Sequence, residues 1–296
     1  MSEREDGDGI YRSEAGKNEI ERRYREMTDS LGEFDERWVE TRFGETHTLV
    51  AGPDDGTPVL VFHGGNMVNP VSLAWFYPLA DEFRLYAPDT VGHPGLSAET
   101  RVSPRDSNYG EWVVDLLDGL GLDRVAMVGP SYGGGIVLRT AAYAPERIER
   151  AALVNPAGLG TGSTVRMVRE IVIPMYAYRL RPTQERLHRA VAPLFTDPVE
   201  EVDREVVDLI GTVFREVRLE RSLPKRATRD ELSGFGSPTL LVLAEEDVFF
   251  PPERVRPHAE EVIPYLLGTV VLEGEAHIPS ERGRERIVEE LRAFLP

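Results

Sequence analysis

The chain has 296 residues, 41% of them hydrophobic, with 51 Asp and Glu against 34 Lys and Arg, a formal net charge of −17 and no cysteine. That length and apolar share suffice for one large α/β domain or two small ones. The charge disfavours nucleic acid and anionic membranes as partners, the absence of cysteine excludes disulfides, thiol nucleophiles and thiolate metal sites, and no apolar run is long enough to predict a membrane span.

Lysine occurs only as Lys17 and Lys225, so arginine carries nearly all the positive charge. An acidic, lysine-poor surface reads as adaptation to a saline cytoplasm. The opening "MSEREDGDGIYRSEAGK" is polar and acidic, without the apolar core of a secretory signal; it predicts a flexible tail over residues 1–17 and a soluble, cytoplasmic protein.

Taken in chain order, "WVETRF" (38–43), "THTLVAG" (46–52), "VLVFHG" (59–64) and "FRLYAPD" (83–89) read as strands. Tight turns at 44–45 ("GE") and 53–56 ("PDDG") join the first two pairs and predict an antiparallel start to the sheet. Beyond Val59 helical stretches intervene, which predicts parallel strands and crossovers. Trp112, Val113, Leu116, Leu117 and Leu120 recur at helical spacing, before the strand pattern "RVAMVGP" (124–130). "RAALVNP" (150–156) follows. Residues 160–232 then carry no strand pattern, only proline-punctuated helical stretches with the apolar residues Met167, Ile171, Met175, Tyr176 and Tyr178. This predicts a helical lid over the C-terminal edge of the sheet, where open α/β sheets bind ligands, with Met175 and Tyr176 lining the substrate pocket. "TLLVLAEED" (239–247) and "TVVLEGEA" (269–276) return to strands, and Ile287, Val288, Leu291, Phe294 and Leu295 give a last helix. The expected fold is a doubly wound, mostly parallel α/β sheet with antiparallel N-terminal strands. Its core lies in 18–159 and 233–296, and the lid in between.

The candidate chemistry sits at "GPSYGGG" (129–135), between a strand and a helix. Gly129-x-Ser131-x-Gly133 in that setting is a nucleophile elbow: the serine stands on a sharp turn, and glycines flank it because a Cβ would strike neighbouring backbone. A serine hydroxyl needs a base to take its proton and a carboxylate to orient that base. Asp247, just past one strand, and His277, just past the next, would reach the same sheet edge as Ser131 in the order nucleophile, acid, base. The oxyanion of an acyl-transfer intermediate needs two N–H donors. Tyr132 supplies one and "FHGGN" (62–66) the other, from Gly65 or alternatively Asn66. His63 reads as a structural hydrogen-bonder.

"FHGG", "DTVGHPGLS" (89–97), "GPSYGGG", "TLLVLAEED" and "GEAHIP" resemble the successive landmarks of the α/β-hydrolase superfamily, in its lidded, esterase-like branch, from Thr46 onward. Three departures stand out: Ala244 and Ala276 replace glycines usual before the acid and the base, and "DTVGHPGLS" is one residue longer than the common loop. Serine at 131 sets the chain apart from the dehalogenase and epoxide-hydrolase branches, which use an aspartyl nucleophile. The resemblance implies a serine hydrolase of small-to-medium carboxylic esters; the anionic surface favours uncharged ones, no ligand spacing for zinc or calcium is found, and no cofactor is expected. The same apparatus would serve a thioesterase, an amidase, a C–C bond hydrolase or a perhydrolase, and a receptor that kept a vestigial triad is the non-enzymatic alternative. "GLGTGS" (158–163) resembles a dinucleotide loop but falls at the lid entry. The partner expected is a small molecule; no feature fixes the oligomeric state.

Overall fold

Every residue of the strand Val125–Pro130 is buried. Its side chains alternate between two apolar layers, Val125 and Met127 in one, Ala126 and Val128 in the other. A strand apolar on both faces needs cover on both, and helices supply it. The computed structural model describes residues 9–296. Its strands are β1 (Asp35–Thr41), β2 (Gly44–Ala51), β3 (Thr57–Val61), β4 (Phe83–Pro88), β5 (Val125–Pro130), β6 (Ile148–Val154), β7 (Thr239–Ala244) and β8 (Leu266–Leu272). The helices are α1 (Glu14–Leu31), α2 (Asn69–Phe76), α3 (Asn108–Leu120), α4 (Tyr132–Tyr143), α5 (Thr164–Met167), α6 (Ile173–Leu180), α7 (Gln184–Val191), α8 (Arg204–Glu216), α9 (Pro252–Val262) and α10 (Glu281–Phe294). A wider π turn over Val168–Val172 joins α5 to α6.

One sheet face is covered by α3, α4 and α9 through Trp112, Leu116, Ile136, Val137 and Val255. The other is covered by α1, α2, α8 and α10 through Ile20, Tyr24, Phe76, Val213 and Leu291. The strands run in the order β1-β2-β4-β3-β5-β6-β7-β8. β2 pairs antiparallel with both neighbours, and every pairing from β4 to β8 is parallel. The chain is thus a doubly wound, mostly parallel sheet with an antiparallel start.

Three expectations need correction. The turn at 53–56 does not make β2 and β3 partners, because β4 lies between them. Gly52 adopts φ +94°, and a Cβ there would stand 2.1 Å from the Phe83 carbonyl oxygen, so the chain crosses tightly over the start of β4. The tail expected over 1–17 lies outside the described residues up to residue 8; beyond it the chain is packed. Ile10 and Tyr11 are buried, Tyr11 bridges to Val217, and the Ser13 hydroxyl caps α1 by accepting from Gly16 N–H. Finally, the segment 160–232 is helical only as far as Glu216. Ala227 and Leu232 belong to the apolar layer beneath α3 and α4, and Pro224 packs so close to Gly135 that a Cβ there would lie 2.5 Å from it.

The helices α6, α7 and α8 have their own small core of Ile171, Tyr178, Leu187, Val191, Val207 and Ile210. Val248 joins it, with Met67, Phe249 and Ile278 packed alongside. These last residues follow β3, β7 and β8, so the helical layer rests on the C-terminal edge of the sheet.

Candidate active site

The turn after β5 places Ser131 at φ +52°, ψ −118°, a conformation uncommon for a residue with a side chain. Surrounding bonds hold it there. Ser131 N–H donates to Val154 O (2.8 Å), and its carbonyl accepts from Ala157 N–H (2.9 Å) and Gly134 N–H (3.1 Å). A Cβ on Gly129 would approach Gly133 backbone to 2.5 Å, and one on Gly133 would meet Phe62 Cβ at 2.7 Å and His63 O at 2.9 Å. Both glycines are therefore required by close backbone approach, and the hydroxyl is left standing at the sheet edge.

Two later loops converge on it. His277 Nε2 lies 3.0 Å from Ser131 Oγ, and His277 Nδ1 lies 2.8 Å from Asp247 Oδ2. Asp247 is 1% exposed, and its Oδ1 accepts N–H bonds from Phe249 (2.7 Å) and Phe250 (3.1 Å). With the carboxylate accepting at Nδ1, the imidazole carries its proton there and presents a lone pair at Nε2 to the serine hydroxyl. Phe249 and Phe250 flank the ring at centroid distances of 4.9 and 5.7 Å, which fixes its tilt. Glu245 and Glu246, neighbours of Asp247, are exposed. Ala244 and Ala276 fit without disturbing these distances.

The expected oxyanion donors separate into two groups. Gly65 lies against the elbow: a Cβ on it would stand 3.0 Å from the Tyr132 side chain. Among the described residues the N–H groups of Gly65 and Tyr132 have no acceptor. Asn66 is different, and the expectation that it can donate is corrected. Its N–H donates to His93 Nδ1 (3.0 Å), while its side chain clasps the segment that follows α8, with Nδ2 donating to Glu220 O (2.9 Å) and Oδ1 accepting from Glu220 N–H (2.7 Å). His63 uses both ring nitrogens on backbone, accepting from Thr90 N–H (2.9 Å) and donating to Gly64 O (2.8 Å). Burial holds its pKa below the ordinary histidine value.

The structure does not bring the two expected pocket residues together. Met175 is buried, but Tyr176 is 40% exposed, its hydroxyl accepts from Arg221 (2.8 Å), and Arg179 lies over its ring. A cleft of about 280 Å³ opens elsewhere, lined by residues such as Arg23, Tyr178, Asp208 and Arg215, and includes no member of the Ser131 cluster.

Two further contributors carry little or no sequence signal. Asn155, at φ +45° past the end of β6, accepts from Ala244 N–H (2.6 Å) and donates to the His277 carbonyl (3.2 Å), tying the Asp247 and His277 loops together. Thr196, from the helical layer, accepts from Ala276 N–H and donates to Glu275 (2.8 Å each), and its N–H donates to Ile278 O (3.1 Å). The His277 loop is thereby stitched to the layer above it. Only the "NP" following a strand hints at Asn155; Thr196 lies far from any motif.

The family model described as "alpha/beta hydrolase fold" matches residues 57–281. Carboxylesterase YbfK of Bacillus subtilis (strain 168) is 26% identical over 273 residues, covering 87% of this chain and 86% of its own. The uncharacterized carboxylesterase nap of the same organism is 27% identical over 256 residues, covering 79% and 78%. The crystal structure of naproxen esterase from Bacillus subtilis superposes with a TM-score of 0.75 at 23% identity, covering 92% of this chain and 96% of that one. With the elbow, the strand order and a family match across most of its length in agreement, the chain belongs to the α/β-hydrolase fold family.

Proposed function

We propose that the protein is a serine hydrolase that cleaves uncharged carboxylic esters of small to medium size through an acyl-enzyme. The observation that carries this reading is the unbroken run from Ser131 Oγ through His277 to Asp247, at 3.0 and 2.8 Å. Resemblance to carboxylesterases over 79–87% of this chain supports the choice of an ester.

In this reading His277 Nε2 takes the Ser131 hydroxyl proton as Oγ attacks the acyl carbon. The carbonyl π electrons move to oxygen, and the oxyanion accepts hydrogen bonds from the Gly65 and Tyr132 N–H groups. Collapse breaks the bond to the alkoxy oxygen, which leaves with the proton that His277 carried. Water then attacks the acyl carbon, His277 takes its proton, and the acid departs with Ser131 restored. Asp247 holds the imidazole orientation and balances its transient charge. The helices between Thr164 and Glu216 act as the lid that sizes the substrate, with Met175 facing the acyl chain, and the net charge of −17 disfavours anionic esters. The reaction needs no cofactor, and a cytoplasmic small molecule is the partner.

The test is a panel of p-nitrophenyl esters, a thioester and an anilide, assayed with wild type and Ser131→Ala. Ester turnover that Ser131→Ala abolishes supports the reading; turnover unchanged by that substitution refutes it.

A further inference from the structure

The two N–H groups assigned to the oxyanion come from separate loops, Gly65 after β3 and Tyr132 after β5, and something must fix the gap between them. One buried side chain touches both loops, at the Asn66 N–H and at the Tyr132 ring. His93, 2% exposed, accepts the Asn66 N–H at Nδ1 (3.0 Å), immediately next to Gly65. Its ring lies 4.8 Å from the Tyr132 ring, tilted by 57°. A backbone N–H can only donate, so Nδ1 is unprotonated and the ring proton sits on Nε2. Nε2–H faces Tyr109 Oη at 3.3 Å, and Tyr109 Oη faces Tyr132 Oη at 3.3 Å. The path therefore runs from the oxyanion loop through His93 and Tyr109 to the residue after the nucleophile.

Asn66 sits at φ +57°, a left-handed conformation for a non-glycine residue, and two partners hold it: His93 from within and Glu220 from the lid side. The Asn66 N–H held by His93 belongs to the peptide unit that joins Asn66 to Gly65, so the bond fixes the C-terminal side of Gly65, one peptide unit from its own N–H. Burial, reinforced by His63 and Arg101 nearby, keeps the His93 pKa well below the ordinary value, so the ring stays neutral and its Nδ1 lone pair stays available.

We infer that His93 is a positioning residue for the oxyanion hole, its neutral Nδ1 and its ring setting the Gly65 and Tyr132 donors at the spacing that the tetrahedral intermediate requires. This rests on the serine-esterase reading above. The 3.3 Å contacts are long for hydrogen bonds to a hydroxyl, so the Asn66 bond and the ring packing carry most of the coupling and Tyr109 less.

The experiment compares His93→Leu, His93→Asn and Tyr109→Phe with wild type, with active sites counted by fluorophosphonate titration. The readouts are kcat and KM on p-nitrophenyl butyrate and the affinity of a trifluoromethyl ketone, which places an oxyanion in the hole. Loss of one donor costs about 10²–10³ in kcat, and a misplaced donor about 10–100-fold. His93→Leu should lower kcat per active site by about 10–100-fold and weaken the ketone by a similar factor, with KM within about threefold. His93→Asn keeps an acceptor near the Nδ1 position and should recover most of that loss; Tyr109→Phe should lose only a few-fold, again in kcat. The inference is overturned if His93→Leu keeps wild-type kcat and ketone affinity per active site, or if its loss lies in KM or folding alone. It is equally overturned if folded His93→Asn is no better than His93→Leu. Should His93→Leu not fold, Tyr109→Phe decides: unchanged kcat and ketone affinity overturn the inference. Wild-type enzyme inert toward every ester would instead sink the esterase reading, and the inference with it.

Discussion

Replacing Asp247 by asparagine removes one charge and changes almost no volume, yet the structure predicts a large loss. Oδ1 accepts two backbone N–H bonds, from Phe249 and Phe250, at 2.7 and 3.1 Å. An asparagine must keep its carbonyl oxygen there, since an NH2 group would set donor against donor. The NH2 then faces His277 Nδ1, 2.8 Å away in the wild type, and donates to it. Nδ1 becomes an acceptor, the ring proton moves to Nε2, and Nε2 can no longer take the proton of Ser131 Oγ at 3.0 Å. A wrong tautomer of this kind lowers kcat by about 10⁴, equivalent to about 5.4 kcal/mol at about 1.36 kcal/mol per decade. Glu246→Gln, at an exposed neighbour, serves as the control and should leave kcat within about twofold. The assay is steady-state hydrolysis of p-nitrophenyl butyrate with folding checked by circular dichroism. A folded Asp247→Asn within tenfold of wild type, or a Glu246→Gln loss of equal size, refutes the tautomer argument.

Other outcomes follow from the same geometry and charge. Burial alone would depress His47, but hydrogen bonds and charge from Asp89 and Glu36 outweigh it and raise its pKa. A raised folded value contributes stability that is complete below the unfolded pKa of about 6.5 and is lost as pH climbs through the folded value. The melting-temperature advantage of wild type over His47→Gln should therefore shrink from pH 6 to pH 9; an advantage that grows contradicts this. Met175→Ala should move the preferred acyl chain to greater length, each added methylene contributing about 0.8 kcal/mol until a new wall is met, whereas exposed Tyr176→Ala should leave the optimum in place; an unmoved optimum in Met175→Ala removes Met175 from the pocket. With a net charge of −17, molar potassium chloride, which shortens the screening length to about 3 Å, should raise the melting temperature above its low-salt value, and a flat or falling melt would speak against the saline-adaptation reading.

The strands and the elbow were legible because their signals are local. Runs such as "RVAMV" are apolar on both faces, and Gly129 and Gly133 flank the serine for a reason that a single turn imposes. What was hidden depends on contacts between distant segments. The entry of β4 between β2 and β3 leaves no mark on the turn at 53–56, since the same tight turn serves a hairpin or a crossing over a neighbour's end. The packing of Ile10 and Tyr11 is hidden by the acidic residues around them, and in charge-rich α1 the buried stripe is only Gly16, Ile20 and Tyr24. Asn66 reads as a possible donor until the fold shows His93, more than twenty positions along the chain, already accepting its N–H. Tyr176 shares the apolar character of Met175 in the sequence, but adjacent residues on a helix face different ways.

Ester cleavage by this protein requires that Ser131 become acylated. Wild-type enzyme mixed with a p-nitrophenyl ester, quenched in acid within the first turnovers and digested, should yield one peptide heavier by the acyl group, with the adduct mapped to Ser131 and absent from Ser131→Ala. Ester turnover with no acyl peptide, or an adduct mapped to another residue, would contradict the account.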